Sequence, residues 1–207
     1  TQIEPHDWIA ETCHALIRIN NIVNDLNNDM WMYIANDIFI LKTIKNEVGS
    51  STMPHKVNPI DFENSEGNIG LANSMLNFFA EKLPISRLQR DLSDSTTLRN
   101  IGVAFGYSVI SYKSTLKGLK KITPNKNKIN EELDNNWIVL SEAVQTVMRL
   151  ENVDNAYEKL KDLTRGKDLK KEQYLEFVEN LDISQKKKDY LKTLNPKNYI
   201  GVASKLK

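Results

Sequence analysis

With a single cysteine, Cys13, in 207 residues, no internal disulfide can form, so the fold must be held by packing and hydrogen bonds. Ile9, Leu16 and Ile17 surround that cysteine at helical spacing, which predicts a buried thiol and fits a reducing, cytoplasmic setting. Charge of one sign is also lacking. Twenty-eight basic residues stand against 27 acidic ones, for a net charge of +1. No global field therefore recruits nucleic acid or an anionic membrane, and any anion site has to be local. Long hydrophobic runs are absent as well. The longest, Ile101 to Tyr112, is interrupted by Gly102, Gly106, Ser108 and Ser111 and falls short of a span of ~20 residues. Only three histidines occur, His6, His14 and His55, and none stands at metal-ligand spacing from another, so no metal is expected. There are no repeats. The run Lys186, Lys187, Lys188 lacks the aromatic company of a nucleic-acid surface and reads as a solvated helix face.

What the chain does have is 40% hydrophobic residues, enough for a real core, arranged mainly at helical period. Ile9, Cys13, Leu16, Ile19, Val23, Leu26, Met30 and Tyr33 predict one long amphipathic helix over 6–36. Trp8, Trp31 and Tyr33 read as core or interhelical anchors of the same element. Residues 38–48 lack clean periodicity. A second helix is expected over 60–83, with Ile69, Leu76, Phe79 and Leu83 on one side and Pro84 ending it. A third, capped by Asp94 or Ser95, is expected to run over 95–122, apolar on every side. Gly67 and Gly70, and Gly102 and Gly106, are poor helix formers at roughly 1 kcal/mol each, which suggests that they let a neighbouring helix approach closely. Ile122-Thr123-Pro124-Asn125 breaks the pattern. The division is thus placed at 1–122, part of a long-helix bundle, and 123–207, a smaller domain with helices over 128–133, 137–151, 155–164, 171–181, 184–194 and 199–207. The fold class is all-α. Three long helices with two-sided hydrophobicity exceed what one chain covers, which predicts a bundle completed by further subunits.

The stretch 49–59, Gly-Ser-Ser-Thr-Met-Pro-His-Lys-Val-Asn-Pro, places backbone freedom, three hydroxyls and a cation where nothing needs burying. On composition alone it is a polar connector. It is not a Walker loop, because Lys56 follows His55 rather than a glycine and no strand leads in. Ser50, Ser51 and Thr52 can offer hydroxyls and N–H groups to an anion, and Lys56 and Asn58 can add a cation and an amide. A second cluster is Arg90, Ser95, Thr96 and Arg99. Ser95 and Arg99 lie four apart, at what reads as a helix N-terminus, an arrangement that suits a phosphate.

In their order, residues 49–59 resemble the signature of the fumarase/aspartase superfamily. Thr1-Gln2-Ile3-Glu4-Pro5-His6-Asp7 and the segment from Arg87 to Asn100 resemble, within it, the adenylosuccinate lyase family, and the likeness runs to the C-terminus. The resemblance implies β-elimination of fumarate from adenylosuccinate and from the succinyl-carboxamide ribotide of purine synthesis, without metal or cofactor, in a homotetramer whose sites are shared between subunits. It assigns Ser50 as the base, with Lys56 and Asn58 on the succinyl carboxylates. Arg90, Ser95 and Arg99 fall on the phosphate and ribose, Gln2 near the leaving group or base, and Asn64 near the loop. The chain starts at Thr1 inside the lead-in to a helix and so reads as a piece of a longer protein, one that lacks the region with the family's general-acid histidine and is inactive by itself. Argininosuccinate lyase and fumarase are the nearest rivals, and a phosphate-directed pair of arginines speaks against both. A non-catalytic helical assembly module is the rival from another class.

Overall fold

Pro5 precedes the first turn of α1 (Asp7–Ala35), where its missing N–H costs nothing, and Asp7 places a carboxylate at the positive end of the helix. The structure, a computed structural model, describes residues 4–42, 58–88, 91–164 and 169–206. At its far end α1 closes on Asn36-Asp37. Asp37 takes the left-handed conformation (φ 59°), Ile38 N–H donates to the Tyr33 carbonyl at 2.8 Å, and Asp37 N–H donates to that of Ile34 at 3.1 Å. This is a Schellman closure with aspartate where glycine is commoner, and it sends the chain away from the helix axis.

The chain then enters β1 (Phe39–Leu41), which pairs antiparallel with β2 (Ile122–Pro124) in the register Phe39 to Pro124, Ile40 to Thr123 and Leu41 to Ile122. This two-stranded ribbon was not foreseen. Runs of three residues are too short to show a period, although Phe, Ile and Thr are good strand formers. Otherwise the fold is all-α. Helix α2 (Ile60–Lys82) packs against both α1 and α4 (Ile101–Leu119). The short α3 (Ser93–Leu98) lies between α2 and α4 in the chain. The expected helix over 95–122 is therefore two helices and a strand. Arg99 and Asn100 interrupt it, with Asn100 N–H reaching back three residues to Thr97 and its side-chain amide taking the Thr96 carbonyl at 3.0 Å.

Ile69, Leu76, Phe79 and Leu83 are all buried, as their spacing predicts, and the last three cluster with Ile9, Ala10 and Cys13 of α1 and Ala104 of α4. Further along, the contact between these three helices turns polar. Asn27 Nδ2 donates to Ser65 Oγ at 2.9 Å, Ser65 and Thr115 share a hydrogen bond of 2.8 Å, and Thr115 Oγ1 donates to Asn27 Oδ1 at 2.8 Å. One heptad earlier, Asn20 donates to Asn73 at 2.8 Å and to Ser108 at 3.2 Å. The buried face of α1 thus continues through Asn20 and Asn27, and Ile19 (50% exposed), Trp31 (46%) and Tyr33 (40%) point elsewhere. Likewise α4 buries Ala104, Ser108, Ser111, Ser114, Thr115 and Gly118, while Val103, Phe105, Val109, Ile110 and Leu116 are exposed. Within the single chain the stripe expected on α1 holds at Ile9, Cys13 and Met30 but not at Ile19, Leu26 or Tyr33, and α4 is not buried all round. Nor do the four glycines serve close packing here, since a Cβ at Gly67, Gly70, Gly102 or Gly106 would meet nothing within 4 Å. Gly118 does that work instead, with the Phe62 ring 2.7 Å from where its Cβ would stand.

The described chain divides into two compact units, Thr1–Asn125 and Lys126–Lys207. The second is built of α5 (Lys126–Asn135), α6 (Ser141–Leu150) preceded by a 3-10 turn at Trp137–Leu140, α7 (Ala156–Thr164), α8 (Lys171–Glu179) and α9 (Gln185–Thr193). Its core gathers Leu140, Val144, Met148, Tyr174, Val178 and Leu191. Tyr174 lies 5.6 Å from the Trp137 ring, and its hydroxyl donates to the Leu191 carbonyl at 2.8 Å. The helix expected over 199–207 is only a 3-10 turn at Ala203–Lys205, and Gly201 (φ 55°) breaks the backbone ahead of it. Among the described residues no helix is long and apolar enough to cross a membrane.

Gly118→Ala should destabilise the first unit by about 1–3 kcal/mol, because the overpacking penalty outweighs the ~1 kcal/mol that alanine gains over glycine in a helix. Adding Phe62→Leu should return part of the loss. Denaturant melts of the two variants check this, and a Gly118→Ala protein as stable as the parent would show that the contact is not a tight one.

Candidate active site

Of the residues singled out in the sequence, Gln2, Ser50, Ser51, Thr52, Lys56 and Arg90 lie outside the described residues, as does His55. Asn58, Asn64, Ser95, Thr96 and Arg99 lie within them. Asn58 is half-buried at the entrance to α2, where its carbonyl accepts the Ile60 N–H at 2.8 Å and the Pro59 carbonyl accepts that of Phe62 at 3.0 Å. Pro59 fits there because the residue ahead of a first turn has no intrahelical bond to lose.

Asp61, the second residue of α2, is buried. Its carboxylate meets Lys117 Nζ at 3.0 Å and Lys121 Nζ at 2.5 Å. Burial pushes the Asp61 carboxyl up, but hydrogen bonds from Lys121 and Lys117, with their charges, outweigh it and leave the group below the usual aspartate value. Asn64, one turn further, donates from Nδ2 to Ser114 Oγ at 3.0 Å, and Ser114 in turn donates to the Asp61 carbonyl at 2.7 Å. The first turns of α2 are thereby tied to the last turns of α4. Neither Asp61 nor the two lysines was singled out in the sequence. Their signal lay in the spacing of Lys117 and Lys121, four apart and hence on one helix face.

The second cluster is differently built from the expectation. The N-terminus of α3 is already occupied by the protein's own carboxylate, because Asp91 Oδ1 accepts the Ser93 N–H at 2.9 Å and the Ser93 hydroxyl at 2.7 Å, and Asp91 Oδ2 meets Lys82 Nζ at 3.3 Å. Ser93 and Lys82 pull Asp91 down to about 2. The N-cap position is thus Leu92, neither Asp94 nor Ser95, with the carboxylate supplied by Asp91 just ahead of it, and Arg99 stands at the end of α3 rather than at its start. Ser95 donates its hydroxyl to the Leu92 carbonyl at 3.0 Å, and Thr96 and Arg99 are exposed. Asp94 faces His6 Nε2 at 3.7 Å, and His6 Nδ1 lies against the Glu4 carboxylate. His14 is exposed on α1. No group of three or more histidine, cysteine or acidic side chains among the described residues could hold a metal ion. An open cleft of about 560 Å³ lies in the second unit, lined by Asp134, Asn135, Trp137, Lys170, Lys171 and Glu172.

Residues 1–72 match the model of a family described as Lyase, and residues 86–200 that of a family described as Adenylosuccinate lyase C-terminal. Among curated relatives, the adenylosuccinate lyase of Buchnera aphidicola subsp. Schizaphis graminum is 57% identical over 206 residues, covering 100% of this chain and 45% of that protein. The adenylosuccinate lyase of Escherichia coli K12 is 55% identical over 203 residues, covering 98% and 44%. That of Haemophilus influenzae is 55% identical over 206 residues, covering 100% and 45%. The chain thus spans about 45% of the length of the relatives it matches.

Asp91 and Asp61 both titrate below the ordinary aspartate value of about 3.9, so their contribution to stability is complete above that pH and is lost as the pH falls through the folded-state values. Ser93→Ala should raise the Asp91 titration from about 2 toward that ordinary value and move the onset of acid unfolding to higher pH. A carboxyl ¹³C NMR titration reads the first effect and circular dichroism the second. An unshifted Asp91 in the variant would remove Ser93 as the cause.

Proposed function

Because the chain belongs to the adenylosuccinate lyase family, we propose that it carries working parts of an adenylosuccinate lyase. The reaction is β-elimination of fumarate from adenylosuccinate, giving AMP, and from the succinyl-carboxamide ribotide, giving the carboxamide, in purine nucleotide synthesis in the cytoplasm. A base removes the proton next to a carboxylate, the aci-carboxylate that forms is stabilised, and an acid protonates the leaving nitrogen. Ser50 is the base, acting as an alkoxide held by the N–H groups of Ser51 and Thr52 and by a cation. Lys56 and Asn58 hold the succinyl carboxylates, with Asn64 close by. Arg90, Ser95, Thr96 and Arg99 hold the phosphate and ribose, and Gln2 the leaving group. The observation that carries this reading is the ordered run 49–59 inside the lyase match, followed by Arg90 to Arg99 inside the match over 86–200.

The assembly we propose is a homotetramer with shared sites. Its support is the outward row Val103, Phe105, Val109, Ile110 and Leu116 on α4, joined by Leu71 and Phe78 of α2 and Ile19 and Ile22 of α1. Exposed apolar side chains on all three helices suit an interaction face, and the glycines 67, 70, 102 and 106, where a Cβ would meet nothing within 4 Å, leave room for another helix.

In the full-length protein, Ser50→Ala should abolish turnover while leaving substrate binding in place. A variant that kept a tenth of the parent kcat, about 1.4 kcal/mol in barrier, would overturn Ser50 as the base. Arg99→Ala should instead raise KM for the phosphorylated substrate, because a phosphate far from the reacting bond is held alike in ground and transition states. Fumarate absorbance with adenylosuccinate and with argininosuccinate gives both parameters and separates the family's substrate from its rival's. Light scattering on the purified 207-residue chain should report an oligomer without lyase activity, and a well-behaved monomer would contradict the apolar-face argument.

A further inference from the structure

Lys121 occupies a singular place in the chain. It follows α4, its N–H donating to the Gly118 carbonyl at 2.9 Å, and it leads directly into β2. Its carbonyl accepts the N–H of Lys42 at 2.8 Å, which fastens it to the residue that closes β1. Its ammonium, with the side chain only 6% exposed, meets Asp61 Oδ2 at 2.5 Å in the first turn of α2. Lys42 is the last described residue before the stretch 43–57, and Asn58-Pro59-Ile60-Asp61 is the first segment after it. One residue therefore grips both ends of that stretch, by its backbone on one side and its side chain on the other. Lys117, on the same face of α4 one turn earlier, holds the other oxygen of the same carboxylate.

We infer that Lys121 and Asp61 are positioning residues that fix the distance between the two ends of the stretch 43–57, and that the elimination proposed above depends on them for its rate. The inference rests on the reading of residues 49–59 as the lyase signature. Stability alone does not account for the pair, because a buried ion pair can commonly be replaced by uncharged side chains without loss of stability. What such a replacement gives up is direction. A charged hydrogen bond at 2.5 Å fixes where the first turn of α2 stands relative to β2, whereas two apolar side chains in the same volume permit a slide. Because displacement of a reacting group by about 1 Å can cost 10²-fold in rate, the slide should be read in kcat. Of the residues proposed to hold the nucleotide, Ser95, Thr96 and Arg99 stand on α3 or at its end, on another element than the clamp, so KM should change less than kcat.

The test uses Asp61→Asn/Lys121→Met in the full-length protein, with Lys121→Met alone beside it. The double variant removes both buried charges together and leaves only Lys117, whose side chain is 57% exposed, to be solvated by water, so it keeps the fold testable where the single variant fails. Expected for the double variant is a fall in kcat of at least about tenfold with KM within about threefold, at a melting temperature close to the parent's. Trypsin supplies a readout that does not depend on catalysis, since Lys45 and Lys56 lie inside the stretch. Cleavage there, followed by mass spectrometry, should accelerate on the order of tenfold relative to the parent. A double variant with parental kcat overturns the positioning role, and one with parental trypsin rates overturns the clamp. Faster cleavage in a protein whose parent releases no fumarate from adenylosuccinate would uphold the clamp and remove instead the reaction it serves.

Discussion

The triangle of hydrogen bonds among Asn27, Ser65 and Thr115 is the constraint on which the rest of the first unit depends. Each corner comes from a different helix, α1, α2 and α4, and each polar atom in it is buried. The net worth of such bonds is small, about 1 kcal/mol each, but leaving a buried amide unpaired costs about 1–3 kcal/mol, so the triangle acts mainly by penalising alternatives. Sliding α1 by one turn would orphan Asn27 and Asn20 together. The two asparagines, seven residues apart, thus set the register of three helices that small side chains alone would let slip. Because register is set there, the first turn of α2 and the last turn of α4 have fixed addresses, and Asp61 and Lys121 meet at the end of the bundle.

The same packing explains why so much apolar surface is left over. Helices that approach through Ser, Thr, Ala and Gly come close but bury little hydrocarbon against one another. On α4 most of the Val, Ile, Leu and Phe residues are turned outward, and α1 and α2 add Ile19, Ile22, Leu71 and Phe78 to that exposed surface. In water that arrangement forgoes the ~25 cal/mol per Å² that burial supplies, so an all-α unit of this kind becomes stable in proportion to what covers it. The second unit is organised in the opposite way, with Leu, Val, Met and Tyr inside and charged residues outside. Its extra hydrogen bonds, such as Tyr174 to Leu191, complete an apolar core rather than replace one.

The sequence made the large helices legible, and α1 and α2 end within a residue or two of where their periodicity stops. Periodicity failed where chemistry replaced hydrophobicity. The stripe on α1 was followed through Ile19 and Leu26 because they are apolar, yet Asn20 and Asn27 are the buried residues, and a pattern of apolar positions cannot flag a buried amide. On α4 the apolar residues outnumber the small ones, so the pattern pointed to burial all round. The break at Arg99-Asn100 was hidden because neither residue forbids a helix. It follows from side-chain competition for the Thr96 carbonyl. Of the candidate residues, Asn58, Asn64, Ser95, Thr96 and Arg99 are described, and the carboxylates near them in the chain, Asp61 and Asp91, were legible only as neighbours of lysines and a serine. Their partners are set by tertiary contact.

Charge placement closes the argument. A chain with a net charge of +1 has no long-range field to offer a dicarboxylate or a phosphate, and at physiological salt, with a screening length of about 8 Å, only adjacent cations count. At the entrance to α2 two lysines share one carboxylate, so the cluster of Lys117, Lys121 and Asp61 carries one net positive charge beside Asn58. At α3 the balance differs, since Lys82 and Asp91 cancel and Asp94 on the helix stands against the exposed Arg99 at its end. Net positive charge among these groups is therefore confined to the entrance of α2, and the two places are held by separate carboxylates. Losing either carboxylate would change more than one local charge. At Asp61 it would release the helix start that the cation cluster frames, and at Asp91 it would free the turn that orients Ser95 and Arg99.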